Sequence, residues 1–245
     1  MVLFSLIYRF LRYGDDPGFY LLQARDTVRW LDDSGMLRKG MTVLDLGCGH
    51  GFIGGELKKK GCRVVFADEK NEVVTEYGQV EYRHFEIGKD ELGSLGTSDL
   101  VICSNVLEHI DDPWKLIGSL HRVLEPGGRL YLSWTNWLSP WGGHDFSPFH
   151  YLGARRGVKV YDRLIGRKRS HTPYVTLFPT SIAGILKMVR RNPHLRIVRV
   201  LPRYYPRLEF TTRVPLLREF LTFNCLVLAG RSGPDSDGRG HSDCR

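Results

Sequence analysis

Short apolar runs alternate with amphipathic stretches through most of the chain. Residues 41–46 form an apolar run interrupted only by Asp45, and a cluster of glycines separates this run from a helix-compatible stretch at 52–60. Residues 63–67 are apolar again, and Gly61 before them is suited to ending a helix. A short strand, a helix and a second short strand predict a βαβ unit with two parallel strands.

The alternation continues towards the C-terminal part of the chain. It predicts strands at 99–103 and 129–134, with a helix at 114–124 and a turn at Pro126-Gly127-Gly128 between them. After a long interruption, the pattern predicts one helix at 181–191 and extended segments at 195–201 and 223–229. Strands that alternate with helices in this way predict an α/β fold around a largely parallel sheet.

Three segments fall outside this alternation. Residues 15–38 have helical spacing, and we expect 1–40 to form an N-terminal helical cap. Residues 135–179 are rich in Trp, His, Gly, Pro and Arg without clear periodicity, which is typical of a lid or substrate-binding insertion. Residues 232–245 are rich in Gly, Ser and Asp, so we predict a disordered tail after a single domain at 1–231.

Three glycines mark the point where the first predicted strand leads into its helix. Gly47, Gly49 and Gly51 allow a sharp turn with positive φ and let a ligand lie against the main chain. The N-terminus of the following helix offers free N–H groups. Asp68 ends the next predicted strand, where a carboxylate can accept hydrogen bonds from two ribose hydroxyls. Together these features predict a site for a nucleoside-type cofactor.

The same glycines fit a second interpretation. Residues 49–54 match the G-x-G-x-x-G pattern of dinucleotide-binding proteins, so an NAD(P)-dependent oxidoreductase is an alternative. Asp45 separates the two interpretations, because a carboxylate next to the loop attracts an ammonium group and repels a pyrophosphate. S-adenosylmethionine (SAM) carries an amino-acid group and no phosphate, so the sequence favours SAM.

Four motifs in order resemble those of the class I SAM-dependent methyltransferases. They are the strand and glycine loop at 43–51, Asp68, the strand and loop at 98–109, and residues 122–128. The small-molecule branch, of the ubiquinone and menaquinone methyltransferase type, is the most similar. The resemblance implies a Rossmann-like seven-stranded sheet with its last strand antiparallel, helices on both faces and a lid insertion. It also implies a methyltransferase that uses SAM and releases S-adenosylhomocysteine (SAH).

The resemblance also implies cofactor-binding residues. These are Asp45, Gly47, Gly49 and Gly51 at the methionine and ribose end, Asp68 at the ribose, Glu86 and Ile87 beside the adenine, and Ser104 and Asn105 beside the sulfonium. The family usually has a Gly-Asp-Ala-like stretch where this chain has 85–88, so a solvated surface glutamate is the alternative for Glu86. The chain also resembles a group of uncharacterised actinobacterial methyltransferases, at residues 134–153, 202–207 and 214–220. This resemblance implies no particular substrate.

The predicted lid supplies the candidate catalytic side chains. A histidine with an ordinary pKa of about 6.5 suits proton removal from an acceptor hydroxyl, and we select His144 and His150 as candidate bases. A structural role is the alternative for each. Asn105-x-x-Glu108-His109 resembles a Glu-x-x-Glu-His motif that holds a divalent metal in some relatives. Because Asn105 replaces the first glutamate, the sequence predicts no metal site.

The apolar runs and the cysteines of the sequence indicate the cellular compartment of the protein. No apolar run is long enough to span a bilayer, and residues 1–13 lack the features of a secretory signal. The five cysteines are scattered and never form a Cys-x-x-Cys pair, which argues against a disulfide framework or a structural zinc site. We therefore expect a cytoplasmic protein. The apolar and basic residues at 1–13 are compatible with a peripheral contact at the inner membrane surface, or with a core-packing helix.

Charge is unevenly distributed along the chain. The net charge is +8, and residues 154–207 contain fourteen Lys or Arg against one acid, Asp162. This segment is either a solvated face or a surface for anionic groups. The expected acceptor is a small molecule, a glycan or a lipid-linked molecule, methylated on oxygen. A nucleic-acid acceptor is the weaker alternative, because 104–107 is not of the Asn-Pro-Pro type and no RNA-binding module is present. The sequence does not predict the oligomeric state.

Overall fold

Seven strands form one mixed sheet. The computed structural model describes residues 2–166 and 169–232. The strands are β1 (Thr42–Leu46), β2 (Arg63–Asp68), β3 (Glu81–His84), β4 (Ser98–Ser104), β5 (Leu124–Thr135), β6 (Leu195–Pro202) and β7 (Asn224–Arg231). Their order in the sheet is β3-β2-β1-β4-β5-β7-β6. The first five strands are parallel, and β7 runs antiparallel to both β5 and β6. The predicted fold class, including the antiparallel last strand, is confirmed.

Helices cover both faces of the sheet. They are α1 (Leu3–Tyr13), α2 (Pro17–Asp33), α3 (Phe52–Lys59), α4 (Pro113–Ser119), α5 (Ala154–Leu164), α6 (Ile182–Arg191) and α7 (Leu217–Leu221). Side chains alternate along β1, so Leu44 and Leu46 face the core with α4 and α6, whereas Val43 faces the core with α2 and α3. Within the described part of the chain, no helix combines the length and apolarity required to cross a bilayer.

Local caps explain where several helices begin. The carboxylate of Asp16 accepts a hydrogen bond from the Phe19 amide at 2.9 Å, and Pro17 follows as the first helical residue of α2. The Ser181 hydroxyl caps α6 in the same way by accepting from the Gly184 amide at 3.0 Å. These side chains satisfy N–H groups that have no partner within the helix.

The lid insertion differs from its prediction. The sequence indicates no regular structure there, but the insertion contains α5 and two short 3₁₀ turns. It also has a small apolar cluster of its own, in which Phe146, Tyr161 and Leu177 are buried. The lid is thus a folded layer between β5 and α6. Apart from Ser232, the predicted disordered tail at 232–245 lies outside the described residues.

Candidate active site

The glycine loop lies between β1 and α3, and each of its three glycines has a positive φ. The values are 70° at Gly47, 50° at Gly49 and 72° at Gly51. A Cβ on Gly47 would lie 2.4 Å from Cγ2 of Val106, whereas a Cβ on Gly49 would meet nothing within 4 Å. Gly47 is therefore required for packing inside the protein. Gly49 instead borders open space, where a ligand can approach the backbone.

Asp45 lies beneath this loop, with only 3% of its surface exposed. Its Oδ2 accepts a hydrogen bond from the Gly54 amide at 2.8 Å. Burial raises the pKa of Asp45 to about 7, the Gly54 N–H opposes this rise, and the nearby charge of Asp68 adds to it. Because burial makes ionisation of this carboxylate unfavourable, a nearby cation stabilises its ionised form more than it would at an exposed position. Asp45 thus fits the predicted ammonium end of SAM.

Asp68 ends β2, and the backbone fixes its carboxylate. One oxygen accepts from the Gly49 amide at 2.7 Å and the other from the Glu69 amide at 2.7 Å. Each carboxylate oxygen can accept a further hydrogen bond, so the predicted role at ribose hydroxyls fits this geometry. The contact with Gly49 also connects the predicted ribose ligand directly to the glycine loop.

Asn105 follows β4 in a left-handed conformation, with φ of 57°. Its Oδ1 accepts from Asn224 at 2.8 Å and from Arg203 at 3.3 Å, and its Nδ2 donates to Oε1 of Gln23 at 3.3 Å. The neighbouring Ser104 hydroxyl accepts from the Ser133 hydroxyl at 3.0 Å. These contacts hold the end of β4 rigidly in place. That end is where the sequence predicts the reacting sulfonium.

Arg203 is a site residue that the sequence analysis does not single out. Its side chain is 5% exposed and donates to the Thr27 hydroxyl at 3.0 Å and to Asn105. The rings of Tyr204 and Tyr131 lie 5.3 Å and 5.9 Å from its guanidinium carbon. Arg203 lies in the segment at 202–207, which entered the sequence analysis only through a resemblance. No local spacing indicates its contact with α2 and β4.

Glu86 and Ile87 follow β3 directly after Phe85, whose amide donates to the Asp68 carbonyl at 2.9 Å. The Glu86 side chain is about one third exposed and forms an ion pair with Lys89 at 2.5 Å. Ile87 is partly buried and packs against the main core cluster. The side-chain contact of Glu86 with Lys89 matches the surface-glutamate alternative. The adenine role of both residues stays a prediction.

A cavity of about 300 Å³ opens beside Asn105. The helices α1 and α2 supply apolar walls, and the lid together with the loop after β4 supplies polar groups. Among the lining residues are Leu6, Phe10, Phe19, Gln23, Asn105 and His144. Tyr20, which also lines the cavity, stacks against Phe52 at the start of α3, with ring centroids 6.4 Å apart. Asn105 is thus the predicted cofactor residue that lines the cavity, and Tyr20 connects the cavity to the first residue of α3.

The two candidate bases have different positions. His144 lines the cavity, whereas His150 does not. The imidazole of His150 is 1% exposed, its Nε2 lies 3.0 Å from the Ser139 carbonyl, and burial lowers its pKa. This geometry supports the structural alternative for His150. It leaves His144 as the candidate base that can reach an acceptor.

His144 lies in a group of three histidines. Its ring centroid is 4.8 Å from that of His171 and 5.4 Å from that of His109. Burial, followed by the two neighbouring imidazoles, lowers the pKa of His144 to about 3. His144 is therefore neutral at pH 7. Glu108 does not join the group, because it is buried and accepts from the Thr135 amide at 2.8 Å.

Sequence comparisons agree with this geometry. Residues 21–172 match the model of a protein family described as a methyltransferase domain. A protein of Mycolicibacterium gilvum, named as an uncharacterised methyltransferase, is 33% identical over 225 residues, which cover 87% of this chain and 88% of that protein. A protein of Mycobacterium leprae with the same description is 32% identical and covers 86% of this chain and 81% of its own. The resemblance to uncharacterised actinobacterial methyltransferases is confirmed.

Solved structures share the fold at low sequence identity. A SAM-dependent methyltransferase from Mesorhizobium loti superimposes with a TM-score of 0.55 at 22% identity, covering 83% of this chain and 97% of its own. The magnesium protoporphyrin IX methyltransferase of Synechocystis, crystallised with SAH, gives a TM-score of 0.53 at 21% identity, covering 87% and 83%. At such identities the likeness shows the fold. These comparisons do not identify the quinone-methyltransferase branch, which stays a prediction.

Proposed function

The chain belongs to the methyltransferase-domain family and is an enzyme that takes its methyl group from SAM, and we propose that it methylates an oxygen of a small amphiphilic acceptor. The observation that supports this proposal is the cavity beside Asn105, which combines apolar walls with a polar end. A small molecule, a glycan with an apolar substituent and a lipid-linked molecule share this chemistry. The dinucleotide-dependent oxidoreductase alternative is not retained, because the family is that of methyltransferases.

The residues around the glycine loop fit the parts of SAM. Asp45 can bind the ammonium group, Gly49 leaves room for the backbone to approach the cofactor, and Asp68 can accept from the ribose. When bound, SAM supplies an electrophilic methyl group on a positively charged sulfur. Asn105 lines the cavity and is held by three side chains, so it can fix the relative position of donor and acceptor. Positioning of this kind contributes much of the rate of a direct displacement.

The cavity walls determine which acceptors fit. Leu6, Phe10 and Phe19 exclude water from one side, and an apolar portion of the acceptor would be stabilised there. Gln23 and Asn105 lie on the polar side. Because both apolar and polar groups line a cavity of about 300 Å³, the best-fitting acceptor is amphiphilic and presents its nucleophilic oxygen to Asn105.

His144 can orient that oxygen but is a weak base. At neutral pH its imidazole is uncharged and can accept a hydrogen bond from an acceptor hydroxyl. Because burial lowers its pKa to about 3, His144 is a weaker base than an ordinary histidine.

Acceptor delivery is the second part of the proposal. The outer face of α1 exposes Phe4, Tyr8 and Leu11, while Leu3, Leu6 and Ile7 on the same helix line the cavity. Arg12 lies beside the exposed apolar side chains. A helix with this composition can rest on an acidic membrane surface, and a lipid-linked acceptor could then enter the cavity past α1.

The test is transfer of labelled methyl groups. The full chain is incubated with methyl-labelled SAM and separate fractions of a cell lysate, namely lipid extract, water-soluble metabolites and RNA. We expect label in the lipid or metabolite fraction and none when Asp68→Ala replaces the native protein. Label that enters RNA alone would contradict the proposed acceptor, and failure of the purified chain to bind either SAM or SAH would contradict the proposed use of the cofactor.

A further inference from the structure

Three histidines from distant parts of the sequence meet at one edge of the cavity. His109 belongs to the short turn after β4, and His144 and His171 belong to the lid. One ring nitrogen from each lies within 4.8 Å of the others, and the His109 and His171 centroids are 5.4 Å apart. All three residues line the cavity. Nothing in the proposed binding of SAM requires this arrangement.

Each imidazole has an oxygen atom next to its Nδ1. Nδ1 of His109 lies 2.8 Å from the Thr176 carbonyl, and Nδ1 of His144 lies 3.5 Å from the Gly142 carbonyl. Nδ1 of His171 lies 3.5 Å from Oδ1 of Asp145. At His109 the Thr176 carbonyl favours the tautomer that carries its hydrogen on Nδ1, which leaves the Nε2 lone pair free. Nδ1 of His171 is buried and has no hydrogen-bond partner among the described residues, so this ring also has a nitrogen available for a ligand. Carbonyl and carboxylate partners at the second nitrogen are typical of metal-binding histidines.

The backbone supports this orientation. Oδ2 of Asp145 accepts from the Ser170 and His171 amides at 2.5 Å and 3.3 Å, so the carboxylate is fixed beside the third ring. The lid is attached to the loop after β4 by the Phe178 amide, which donates to the Glu108 carbonyl at 2.7 Å. The rings are thus held by short connections to the backbone. Three ring nitrogens within 4.8 Å of one another in a half-buried position are stabilised when a cation lies between them.

We propose that His109, His144 and His171 bind one divalent transition-metal ion of the Zn²⁺ class, with a coordination position open to the cavity. Three neutral nitrogen ligands with a free fourth position are the arrangement of catalytic zinc sites. Two carboxylates, Asp15 and Asp145, are among the described residues that line this cavity, and Asp145 lies against a ring of the group, so part of the charge of the ion is left for an anionic fourth ligand. The open position therefore favours an oxygen anion.

This site would complete the chemistry of the proposed methyl transfer, and this part of the inference rests on that function. Coordination lowers the pKa of an acceptor hydroxyl, and its proton passes to solvent. The oxygen then forms a bond to the methyl carbon of SAM while the carbon–sulfur bond breaks, and the electron pair of that bond stays on sulfur as SAH forms. The ion would also join the lid to the sheet, because its ligands come from both.

The experiment measures metal binding directly. The full-length protein is stripped with a chelator and titrated with Zn²⁺ by calorimetry and with Co²⁺ by visible absorption. We expect one equivalent to bind, with intense ligand-field bands of four-coordinate Co²⁺. His109→Ala and His171→Ala should each lower the affinity by about 100-fold or more, and Asp145→Asn by about 10-fold because it only orients a ligand.

The matched control is His194→Ala. His194 stacks on His121 with centroids 4.2 Å apart and forms the other close imidazole pair of the described residues, so its loss removes a competing surface site. The His194→Ala variant should bind Zn²⁺ with the same affinity as the wild type. Absence of one-equivalent binding in the wild type would overturn the proposal, as would wild-type affinity for the metal in His109→Ala and His171→Ala.

A parallel SAM titration separates the two proposals. The stripped wild type and His171→Ala should bind SAM with little change, since the ring lies on the lid. If SAM binds and the metal does not, the metal site is wrong and the proposed function stands. If the metal binds and SAM does not, the metal site stands and the proposed function is wrong. Thermal unfolding of each variant with and without Zn²⁺ shows whether a lost affinity reflects lost folding.

Discussion

At the scale of single residues, the charge state of Asp45 governs both stability and cofactor affinity. The folded protein holds a proton on Asp45 up to about pH 7, whereas an exposed aspartate in the unfolded chain loses its proton near pH 4. Between these values the folded state binds more protons, so stability without ligand falls as the pH rises through this window. Binding of an ammonium group requires the ionised carboxylate, so the affinity for SAM should change in the opposite direction.

The expected result is a stronger affinity for SAM at pH 8 than at pH 6, with a change approaching about tenfold per pH unit below pH 7. Calorimetry at both pH values, in buffers with different ionisation enthalpies, should show a proton released at pH 6 and almost none at pH 8. Asp45→Asn is the control. It preserves an acceptor for the Gly54 amide, should not destabilise the free protein at pH 8, and should bind SAM at least about tenfold more weakly with no pH dependence.

The loop glycines give a second prediction, because their surroundings differ. Gly47→Ala forces a methyl group against Val106 at 2.4 Å, so it should destabilise the protein by about 1–3 kcal/mol. Gly49→Ala meets no protein atom, so it should cost only about 1 kcal/mol of backbone strain and yet abolish most SAM binding. Chemical denaturation and SAM calorimetry on both variants check this.

Gly78→Ala is the matched control for backbone strain. Gly78 also has a positive φ, of 67°, and a Cβ added there would meet no atom within 4 Å, but this glycine lies outside the loop. This variant should lose as much stability as Gly49→Ala and keep its affinity for SAM. If Gly49→Ala binds SAM as well as Gly78→Ala does, Gly49 does not border the cofactor.

Sequence patterns identify the residues whose role is local. The glycine loop with Asp45 and Asp68 is predictable, because a strand, a turn and a helix follow one another within one segment. The contact between Arg203 and Asn105 joins residues 98 positions apart, and the three histidines come from three separate loops. Such groupings depend on tertiary packing, so neither spacing nor composition reveals them.

At the scale of elements, apolar runs decide what the sequence predicts. Five strands contain such a run, and their observed ends lie within three residues of the predicted ends. These strands are β1, β2, β4, β6 and β7. The pattern does not predict β3, since its residues Glu81–His84 include no apolar run and pair only with β2 at the sheet edge. The predicted turn at Pro126-Gly127-Gly128 lies inside β5, because an irregular register opposite Ser98 accommodates it.

The exposed face of α1 gives the third prediction. Phe4 and Leu11 are 70% and 78% exposed, so Phe4→Ser combined with Leu11→Ser should hardly alter folding but should reduce co-sedimentation with vesicles containing acidic lipids severalfold. Val198→Ser on β6 removes a similar exposed apolar side chain away from α1 and is the control. Equal sedimentation of the double variant and the wild type would contradict a membrane contact through α1.

At the scale of the whole molecule, one buried cation joins parts of the chain that lie far apart. Arg203 follows β6 and reaches Thr27 of α2, Asn105 after β4 and Ser133 of β5, the last at 3.4 Å. Thr27 and Ser133 are buried, so removal of the guanidinium would leave their hydroxyls less satisfied, and Asn105 would lose one of its two donors. The network therefore couples the packing of α2 to the centre of the sheet.

Arg203→Ala should accordingly lower the free energy of unfolding by about 2–4 kcal/mol, measured by urea denaturation. Arg207→Ala removes an exposed arginine from the same segment and should change it by less than about 0.5 kcal/mol. A similar small effect for both variants would show that the buried contacts of Arg203 contribute no net stability.

The position of β7 has a consequence for how the protein is made on the ribosome. This strand lies between β5 and β6, and within the described part of the chain β6 pairs with no other strand. During synthesis β6 remains unpaired until residues 224–231 emerge from the ribosome. Until then the edge of β5 is also exposed and can pair with other chains. Chaperone binding to ribosome-stalled chains should hence be strongest for those that expose β6 but not β7, and should vanish once β7 has left the exit tunnel.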